Sequence, residues 1–415
     1  MVGVAEGRDP RTAANDPGAD TPPPVPGSTR RGFLSLAAGG LAAVAVGAAA
    51  AADVYAVHRG VFASGSGPAY APWAEWERGA VPLRLVRAGI LAANAHNAQA
   101  WRFAVTAHRI DVHDDAGRSL GAVDAYRREI HLSAGCAIEN ISLAARAAGL
   151  VPTVTLRPSG DRGPLARIDL VPGAEDVTDL YRAIPGRHTD RGLYQQGRVL
   201  AADVPRGMDA LVDGSDVRLL WLLGDAERSA FSDLTITATQ DFIADPQQSD
   251  DDYAWYRGTG DQVQQHRDGV TVDASGLSPM LRALGKMVPS SRSSNGGYWL
   301  SGTRDRQLPS ASGFAVLLVR DASDVVQRLA AGRIYQRLHL WATVRGLAMQ
   351  PLNQVVERSE RDRATARPGP LTTGLDRLIA DPGWQPVMPF RIGYPTGTAP
   401  ASPRRPVADV LVTTS

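Results

Sequence analysis

The sequence is poor in cysteine and nearly neutral. Cys136 is its one cysteine, which excludes an internal disulfide and any cysteine-rich metal site. The eight histidines are scattered, and the five-residue spacing of His108 and His113 in a predicted hairpin does not place two ligands on one face. A formal net charge of +1 gives no indication that nucleic acid or acidic lipid is the main partner. We therefore predict no metal site and no nucleic-acid partner.

The chain also lacks the short motifs of several enzyme classes. It contains no Gly-x-Ser-x-Gly, His-Glu-x-x-His or P-loop sequence, which argues against a hydrolase or a metalloenzyme. With 415 residues, 44% of them hydrophobic, it is long enough for one large or two medium globular domains.

The N-terminus has the pattern of an exported protein. Residues 1–27 are rich in proline, alanine, glycine and aspartate, so we predict disorder there. Residues 28–34 read Ser-Thr-Arg-Arg-Gly-Phe-Leu, and residues 35–52 form an uncharged run of mostly small and apolar residues. This order predicts a twin-arginine export signal, although Ser35 stands where a lysine is usual. The alternative is a basic linker before an alanine-rich soluble helix.

The sequence permits either cleavage of the signal or its retention. Small residues at Ala49 and Ala51 permit cleavage, whereas a run of about 17–18 residues is close to the lower limit for a membrane span and permits retention as an anchor. We therefore expect an extracytoplasmic or membrane-anchored protein. The twin-arginine route carries folded proteins, which is useful when a cofactor must be inserted in the cytoplasm.

The rest of the chain divides into a spacer and two similar halves. Residues 53–80 are the predicted spacer, in which Trp73 and Trp76 pack against the body. The first half, 81–180, has predicted helices at 83–93 and 133–148 and strands at 101–106, 109–113, 152–157 and 166–171. The second half, 181–415, has a predicted helix at 323–345, capped by Ser323. It also contains an insertion, 258–312, which is rich in Gly, Ser and Asp and is a mobile loop, a lid over a site or a plain surface loop.

A shared octapeptide indicates duplication. Residues 143–150 and 340–347 both read Leu-x-Ala-x-x-x-Gly-Leu. Each octapeptide comes at the end of a long helical pattern, which its own glycine terminates. Coincidence is the alternative, because these residues are common. We favour a duplicated α+β unit whose halves pack about a pseudo-twofold axis, with mainly antiparallel sheets flanked by helices. Such an intramolecular pseudo-dimer is expected to be a monomer or a homodimer.

The segment 94–103, Asn-Ala-His-Asn-Ala-Gln-Ala-Trp-Arg-Phe, is a candidate binding turn. The amides of Asn97 and Gln99 lie at alternate positions just ahead of Trp101 and a strand. Asn and Gln together offer the donors and acceptors that a flat heterocycle requires. The alternative is a polar turn before an ordinary strand, with Trp101 as part of the core.

Three further clusters suit a cofactor that carries a phosphate. Residues 186–191 place two arginines four apart around a hydroxyl, which on a helix start would face an anion together. Residues 346–354 combine a proline with two amides, and residues 402–406 hold a second basic pair. The alternative for the first cluster is a surface helix start with solvated charges. The residues concerned are Arg187, Thr189, Arg191, Pro351, Asn353, Gln354, Arg404 and Arg405.

These blocks, in this order, resemble the FMN-dependent nitroreductase family. Residues 93–101 are similar to its Pro-Ser-Ser-x-Asn-x-Gln-Pro-Trp block, residues 187–191 to its arginine–serine phosphate motif, and residues 346–354 to its Gly-Leu-x-x-x-Pro loop. The C-terminal segments 393–395 and 404–409 are similar to its closing motif. The resemblance is to the Acg-like branch, whose single chains hold two nitroreductase halves. It implies one FMN site between the halves, bound by Asn94, Ala95, Asn97, Gln99, Arg187, Thr189, Arg191, Pro351, Asn353, Gln354, Arg404 and Arg405.

The resemblance implies an FMN-binding oxidoreductase. A reduced nicotinamide, or a membrane quinol outside the cytoplasm, would donate a hydride through flavin N5 to a small electrophile, and no side chain need act as acid or base. The sequence departs from the family at Ala93, Asn94 and Ala95, which replace Pro-Ser-Ser, and at Ala100, which replaces a proline. These departures favour flavin binding over rapid chemistry, so the alternative is a protein that sequesters or stores flavin with little or no turnover.

Overall fold

Two four-stranded antiparallel sheets form the framework. The structure is a computed structural model that describes residues 55–61, 64–214, 216–288, 290–367 and 369–412, so the predicted disordered segment and the export signal lie outside it. The strands are β1 Trp101–Val105, β2 Arg109–Asp114, β3 Leu150–Leu156, β4 Ala166–Pro172, β5 Val217–Leu222, β6 Tyr256–Arg257, β7 Val270–Thr271, β8 Gly313–Val319, β9 Ala348–Pro351 and β10 Gln385–Gly393. One sheet has the order β1-β2-β4-β3 and the other β5-β8-β10-β9, while β6 and β7 form a short parallel pair.

Helices of very different length surround these sheets. Those in the first part of the chain are α1 Ala71–Ala74, α2 Leu83–Gly89, α3 Arg128–Ala147, α4 Asp179–Arg182 and α5 Asp203–Asp209. The second part has α6 Asp225–Ala244, α7 Pro246–Tyr253, α8 Gly260–His266, α9 Pro279–Met287, α10 Arg292–Gly302, α11 Leu308–Ser310, α12 Val325–Val344, α13 Gln354–Ala364 and α14 Pro370–Ile379. The predicted α+β class with mainly antiparallel sheets is confirmed.

The predicted strands are close to the observed ones, but helix starts differ for identifiable reasons. Helix α3 begins at Arg128 and not near Ser133, because the Asp124 carboxylate accepts the N–H groups of Glu129 and Ile130 at 3.1 and 3.0 Å. Helix α12 begins after Asp324, whose side chain accepts the Val326 N–H at 2.8 Å, so Ser323 is not its cap. Both long helices end before a glycine in the left-handed region, Gly149 and Gly346, as predicted.

Helices α3 and α12 cross at two glycines. A Cβ on Gly135 would lie 2.2 Å from the Leu329 carbonyl oxygen, and one on Gly332 would lie 2.1 Å from that of Leu132. The backbones therefore approach more closely than any other residue type permits. The two helices pack together over much of their length, and this contact joins the two parts of the chain.

Polar contacts secure the crossing on either side of the glycines. Gln336 Nε2 donates to Asn140 Oδ1 at 2.8 Å, and the buried Glu139 carboxylate accepts from Arg333 and Arg337 at 3.1 and 3.0 Å. Gln336 Oε1 also accepts the Ala93 N–H at 3.1 Å, which directs the chain after α2 away from a helical path. This contact explains why α2 is shorter than the predicted helix.

One hydrophobic core joins both sheets through these helices. Phe103 and Ile168 of the first sheet and Leu317 and Phe390 of the second belong to the same buried cluster. Trp73 and Trp76 pack against it, as expected for the spacer, and Trp73 Nε1 donates to the Ser402 carbonyl at 2.7 Å. The core is therefore continuous across the division between the predicted halves.

The predicted insertion 258–312 has more regular structure than its composition indicated. It contains α8, β7, α9, α10 and α11, and a buried ion pair between Lys286 Nζ and Asp273 at 2.9 Å ties its parts together. Serine and threonine caps begin several of these short helices, so the segment is more than a plain loop, and its role as a lid stays a prediction. Across the described ranges no helix has both the length and the apolar character to cross a membrane.

We predict that one added methyl group at the crossing destabilises the protein strongly. Gly332→Ala should lower the free energy of unfolding by about 1–3 kcal/mol, because the added Cβ overlaps the Leu132 carbonyl and forces the helices apart. Urea unfolding of both proteins measures this difference. Gly297→Ala in α10 is the matched control, since its Cβ meets open space and alanine favours a helix by up to about 1 kcal/mol. Equal stability of Gly332→Ala and the parent would contradict the close crossing.

Candidate functional site

A cavity of about 250 Å³ lies beside the crossing of α3 and α12. Its walls come from many parts of the chain, among them the turn before β1, the start of α3, the segment 187–191, the middle of α12, the end of β9 with the start of α13, and the insertion. Of the residues predicted to bind a cofactor, those that line the cavity are Asn94, Ala95, Thr189, Arg191, Pro351, Asn353 and Gln354. Their contact with a flavin stays a prediction.

The turn 94–99 faces the cavity with the predicted residues Asn94 and Ala95 and with His96, which was not predicted. His96, Asn97 and Gln99 have φ values of 50, 51 and 52°, in the left-handed region that ordinary residues rarely adopt. The turn is held by the Asn94 side chain, which accepts the Gln99 N–H at 2.9 Å, and by Ser133 Oγ, which accepts the Ala95 N–H at 3.0 Å. As a result Asn94, Ala95 and His96 line the cavity.

Asn97 and Gln99 are buried and bind other parts of the protein. Asn97 Nδ2 donates to the Pro403 carbonyl at 2.9 Å, and its oxygen accepts from Arg404. Gln99 Nε2 donates to the Arg267 carbonyl at 2.9 Å, while its oxygen accepts the Arg405 N–H at 2.8 Å. These two amides therefore join the turn to the C-terminal segment and the insertion, and they do not line the cavity.

The two C-terminal arginines are also occupied by protein groups. Arg404 is 2% exposed, and besides Asn97 it donates to the Ala92 carbonyl at 3.3 Å. Arg405 forms an ion pair with Asp115 at 3.3 Å. The structure brings neither guanidinium to the cavity wall, and it gives both a role in holding the turn in place.

The arginines of segment 187–191 separate into two roles. The segment follows short helical turns in an extended conformation, so the expectation that it opens a helix is wrong. Arg187 points into the core, where it donates to the Leu91 carbonyl at 3.1 Å, and it does not line the cavity. Arg191 lines the cavity with Thr189, and among the residues that the structure describes its one side-chain hydrogen bond is a weak one to the Ala274 carbonyl at 3.5 Å. Burial lowers the pKa of Arg191 from its usual value.

Four polar atoms on the cavity wall have no hydrogen-bond partner within the described part of the chain. They are His96 Nδ1, Tyr335 Oη, Asn353 Oδ1 and Gln354 Oε1. Buried polar atoms are nearly always paired, because an unpaired one loses its bond to water without replacement. The cavity wall is therefore arranged for a polar ligand with several donors and acceptors.

Two carboxylates that no sequence pattern indicated also line the cavity. Glu129 at the start of α3 and Glu357 in α13 both line the cavity, and a hydrogen bond joins their carboxyl groups. Arg128, fully buried, pairs with Glu129 at 3.1 Å and with Glu360 at 3.0 Å. Burial, the neighbouring Glu129 charge and the shared hydrogen bond raise the pKa of Glu357 well above its usual value. The raised pKa favours the protonated form of Glu357, so this pair is a candidate proton carrier in the cavity.

His96 forms a second titratable pair at the cavity. Its Nε2 lies 2.8 Å from Asp252 Oδ1 at the end of α7. Burial alone would lower the pKa of His96, but the bond to Asp252 outweighs it and the pKa is raised. The run of three aspartates at 250–252 was a visible signal, yet nothing in its spacing indicates that the third one meets a histidine so far away in sequence.

The insertion supplies a large share of the cavity wall. Its contribution includes Thr271, Leu277, Tyr298, Trp299 and Arg306. Arg306 adds a second cation beside Arg191, and it also donates to the Gly276 carbonyl. An aromatic and cationic wall was not expected from the low-complexity composition of this segment.

Comparisons with known proteins were made on the whole chain. No family model matches it. Two proteins of Mycobacterium tuberculosis, “Putative NAD(P)H nitroreductase Rv3131” of strain H37Rv and “Putative NAD(P)H nitroreductase MT3217” of strain CDC 1551, are each 27% identical to it over 359 residues. The match covers 84% of this chain and 95% of each relative. The chain is thus a relative of proteins named as nitroreductases, and the resemblance inferred from its motifs is confirmed.

Solved nitroreductase structures are similar to part of the chain. The FMN-dependent nitroreductase NfnB of Mycobacterium smegmatis, solved with NADPH, is 16% identical and covers 57% of this chain and 98% of its own, with a TM-score of 0.38. A nitroreductase of Desulfitobacterium hafniense with bound FMN is 13% identical and covers 57% and 99%, with a TM-score of 0.34.

The carboxyl pair predicts a specific pH dependence of stability. A raised pKa in the folded protein means that the stabilising proton on Glu357 is fully bound below its unfolded pKa, roughly 4.3, and is lost as the pH rises through the folded value. In that window the parent should lose up to about 1.4 kcal/mol per pH unit relative to Glu357→Gln, which keeps an amide donor without titrating. Urea unfolding at a series of pH values gives the difference. Parallel stability profiles for the two proteins would rule out the raised pKa.

Proposed function

We propose that the chain is an FMN-dependent oxidoreductase of the nitroreductase type, with its flavin in the cavity beside the crossing of α3 and α12. The observation that carries this proposal is the similarity, over 84% of the chain, to two proteins named as NAD(P)H nitroreductases. The substrate would be a small electrophile, and a reduced nicotinamide or a quinol would supply the electrons.

The donor and acceptor groups on the cavity wall fit FMN. A flavin ring carries both carbonyl oxygens and an N–H group, which match the unpaired atoms of Tyr335, Asn353 and Gln354. Arg191 has no carboxylate partner among the residues described, and with Thr189 it suits a phosphate. Each charge-assisted contact of this kind contributes on the order of 1.5–3 kcal/mol. The cavity therefore offers both a heterocycle subsite and an anion subsite.

Different residues of the chain would bind the phosphate, orient the ring and supply protons. When bound, FMN supplies the hydride-transfer chemistry. Arg191 and Thr189 bind the phosphate, while Asn353 and Gln354 orient the ring. Glu357 also lines the cavity, its raised pKa favours the protonated form, and reduction of an electrophile consumes protons as well as electrons. The helices of the insertion exclude water from the cavity.

We further propose that the two halves, 81–180 and 181–415, arose by duplication and form an intramolecular pseudo-dimer. Each contains one four-stranded antiparallel sheet and one 20-residue helix that ends before a left-handed glycine and leads into a strand. The crossing of α3 and α12 would then be the pseudo-dimer interface. A chain built in this way needs no second subunit to complete the cavity.

Export is the third part of the proposal. The twin arginines at 30 and 31 and the uncharged run 35–52 support passage by the twin-arginine route, with FMN already inserted. Because reduced nicotinamides are scarce outside the cytoplasm, a membrane quinol is the favoured electron donor of the exported form.

The phosphate assignment predicts unequal effects for neighbouring arginines. Arg191→Ala should weaken FMN binding by about 10- to 100-fold, which corresponds to the loss of one charge-assisted contact. Quenching of flavin fluorescence during titration measures the dissociation constant. Arg182→Ala, which removes an exposed arginine paired with Asp179, is the control and should bind FMN as the parent does. Unchanged affinity in Arg191→Ala would overturn the assignment.

Turnover separates an enzyme from a flavin store. The purified yellow protein should bleach on anaerobic addition of NADPH or of a reduced quinone analogue, and a nitroaromatic or quinone should restore the colour. A yellow protein that neither donor bleaches would support sequestration. A colourless protein that does not take up added FMN would contradict both functions.

Export has its own test. Replacing Arg30 and Arg31 together by lysine should leave the protein in the cytoplasm, because the route recognises the arginine pair and not its charge. Cell fractionation with immunoblotting locates the protein, and Arg8→Lys with Arg11→Lys is the charge-matched control outside the motif. Normal export of the Arg30/Arg31 variant would exclude the twin-arginine assignment.

A further inference from the structure

Helix α9 exposes an apolar face. Met280, Leu281 and Leu284 are 79%, 47% and 56% exposed, and Val288 just beyond the helix is 56% exposed. Positions 280, 281, 284 and 288 lie on one side of a helix, since residues three and four apart share a face. Large apolar side chains scattered singly need no explanation, but a contiguous group on one helix indicates contact with an apolar partner.

The same helix lies against the first residues that the structure describes. Tyr55 Oη donates to the Met287 carbonyl at 3.3 Å, Arg59 donates to the Val288 carbonyl at 3.2 Å, and Lys286 Nζ donates to the Gly60 carbonyl at 2.8 Å. Tyr55 itself is 41% exposed, and Val57 is 67% exposed. The apolar surface of α9 therefore continues onto residues 55–58.

The chain just before these residues is apolar and uncharged. Residues 35–52 carry no charged side chain, and three peptide units separate Ala52 from Tyr55. Three extended residues span at most roughly 11 Å. If the run 35–52 stays in a membrane as an anchor, Tyr55, which contacts the C-terminal end of α9, lies within about that distance of the end of the anchor.

We propose that α9 and residues 55–58 form a lipid-docking face, on which the folded body rests against the membrane that retains residues 35–52. Helix α9 has the composition of an interfacial helix, with Met and Leu on one side, Arg282 and Lys286 as its charged residues and no acidic residue. In the docked protein Tyr55 lies at the membrane–water interface, where aromatic residues are enriched. Because Lys286 is paired with Asp273, the attraction to lipid is mainly apolar.

Docking would bring the cavity close to the lipid. Leu277 lines the cavity and α9 begins two residues later, so the docked face and the cavity wall belong to one short segment. A lipid-soluble quinol would then have a short path to the cavity. This last consequence rests on the proposed flavin function, whereas docking itself rests only on the retention of residues 35–52 in a membrane.

A site-specific probe tests the docking face in the full chain. Cys136 is 1% exposed, so Leu284→Cys introduces one accessible thiol that takes an environment-sensitive fluorophore. Val199→Cys, at a position 81% exposed, is the matched control. Each labelled protein is mixed with vesicles of phosphatidylcholine and phosphatidylglycerol, with and without a lipid that carries a quencher in its acyl chain.

If the face docks, we expect vesicles to shift the fluorescence emission of the label at position 284 to shorter wavelength. The quencher lipid should quench this label severalfold more than the label at position 199. A vesicle-bound protein whose two labels respond alike would overturn the proposal, since the run 35–52 would then act as a simple tether. Failure of the full chain to bind vesicles would overturn it as well. Shielding of position 284 without vesicles, increasing with protein concentration, would assign the face to a second copy of the chain. None of these outcomes depends on flavin binding.

Discussion

The close crossing of α3 and α12 is the constraint on which the rest of the structure depends. Gly135 and Gly332 let the two backbones touch, and each helix carries one sheet on its outer side. The crossing also places Ser133 of α3 and Tyr335 of α12 on the wall of one cavity. Any side chain at the glycines would separate the helices and change the distance between all groups that face the cavity.

The cavity is lined by a cation and by a pair of carboxyl groups. Arg191 is a partly shielded cation with no acidic partner in the described ranges, so it favours an anionic ligand. Glu357 also lines the cavity beside Glu129, and its pKa is raised well above the usual value because it is buried and because two neighbouring carboxylates cannot both be charged at low cost. Charges act more strongly here than in water, since the surrounding medium is less polarisable. A ligand with a phosphate at one end and a reducible ring at the other suits both the cation and the carboxyl pair.

Sequence reasoning predicted the local features well and the long-range ones poorly. The strands and the helix ends at Gly149 and Gly346 follow from periodicity and backbone preference, which act over a few residues. The cavity positions of Asn353 and Gln354 follow from a short loop. Asn97 was expected to face the ligand, but the left-handed turn reverses the direction of its side chain. The carboxyl pair in the cavity joins residues far apart in the sequence, and no local pattern connects them.

The central claim is that one chain contains one flavin cavity, built where the two long helices cross. The most direct measurement is the amount and identity of flavin released when the purified, FMN-saturated full chain is denatured, determined by absorbance and chromatography against the protein concentration. The account predicts one FMN per chain. Two FMN per chain would mean that both sides of the crossing form equivalent sites, and no bound flavin after saturation would contradict the account altogether.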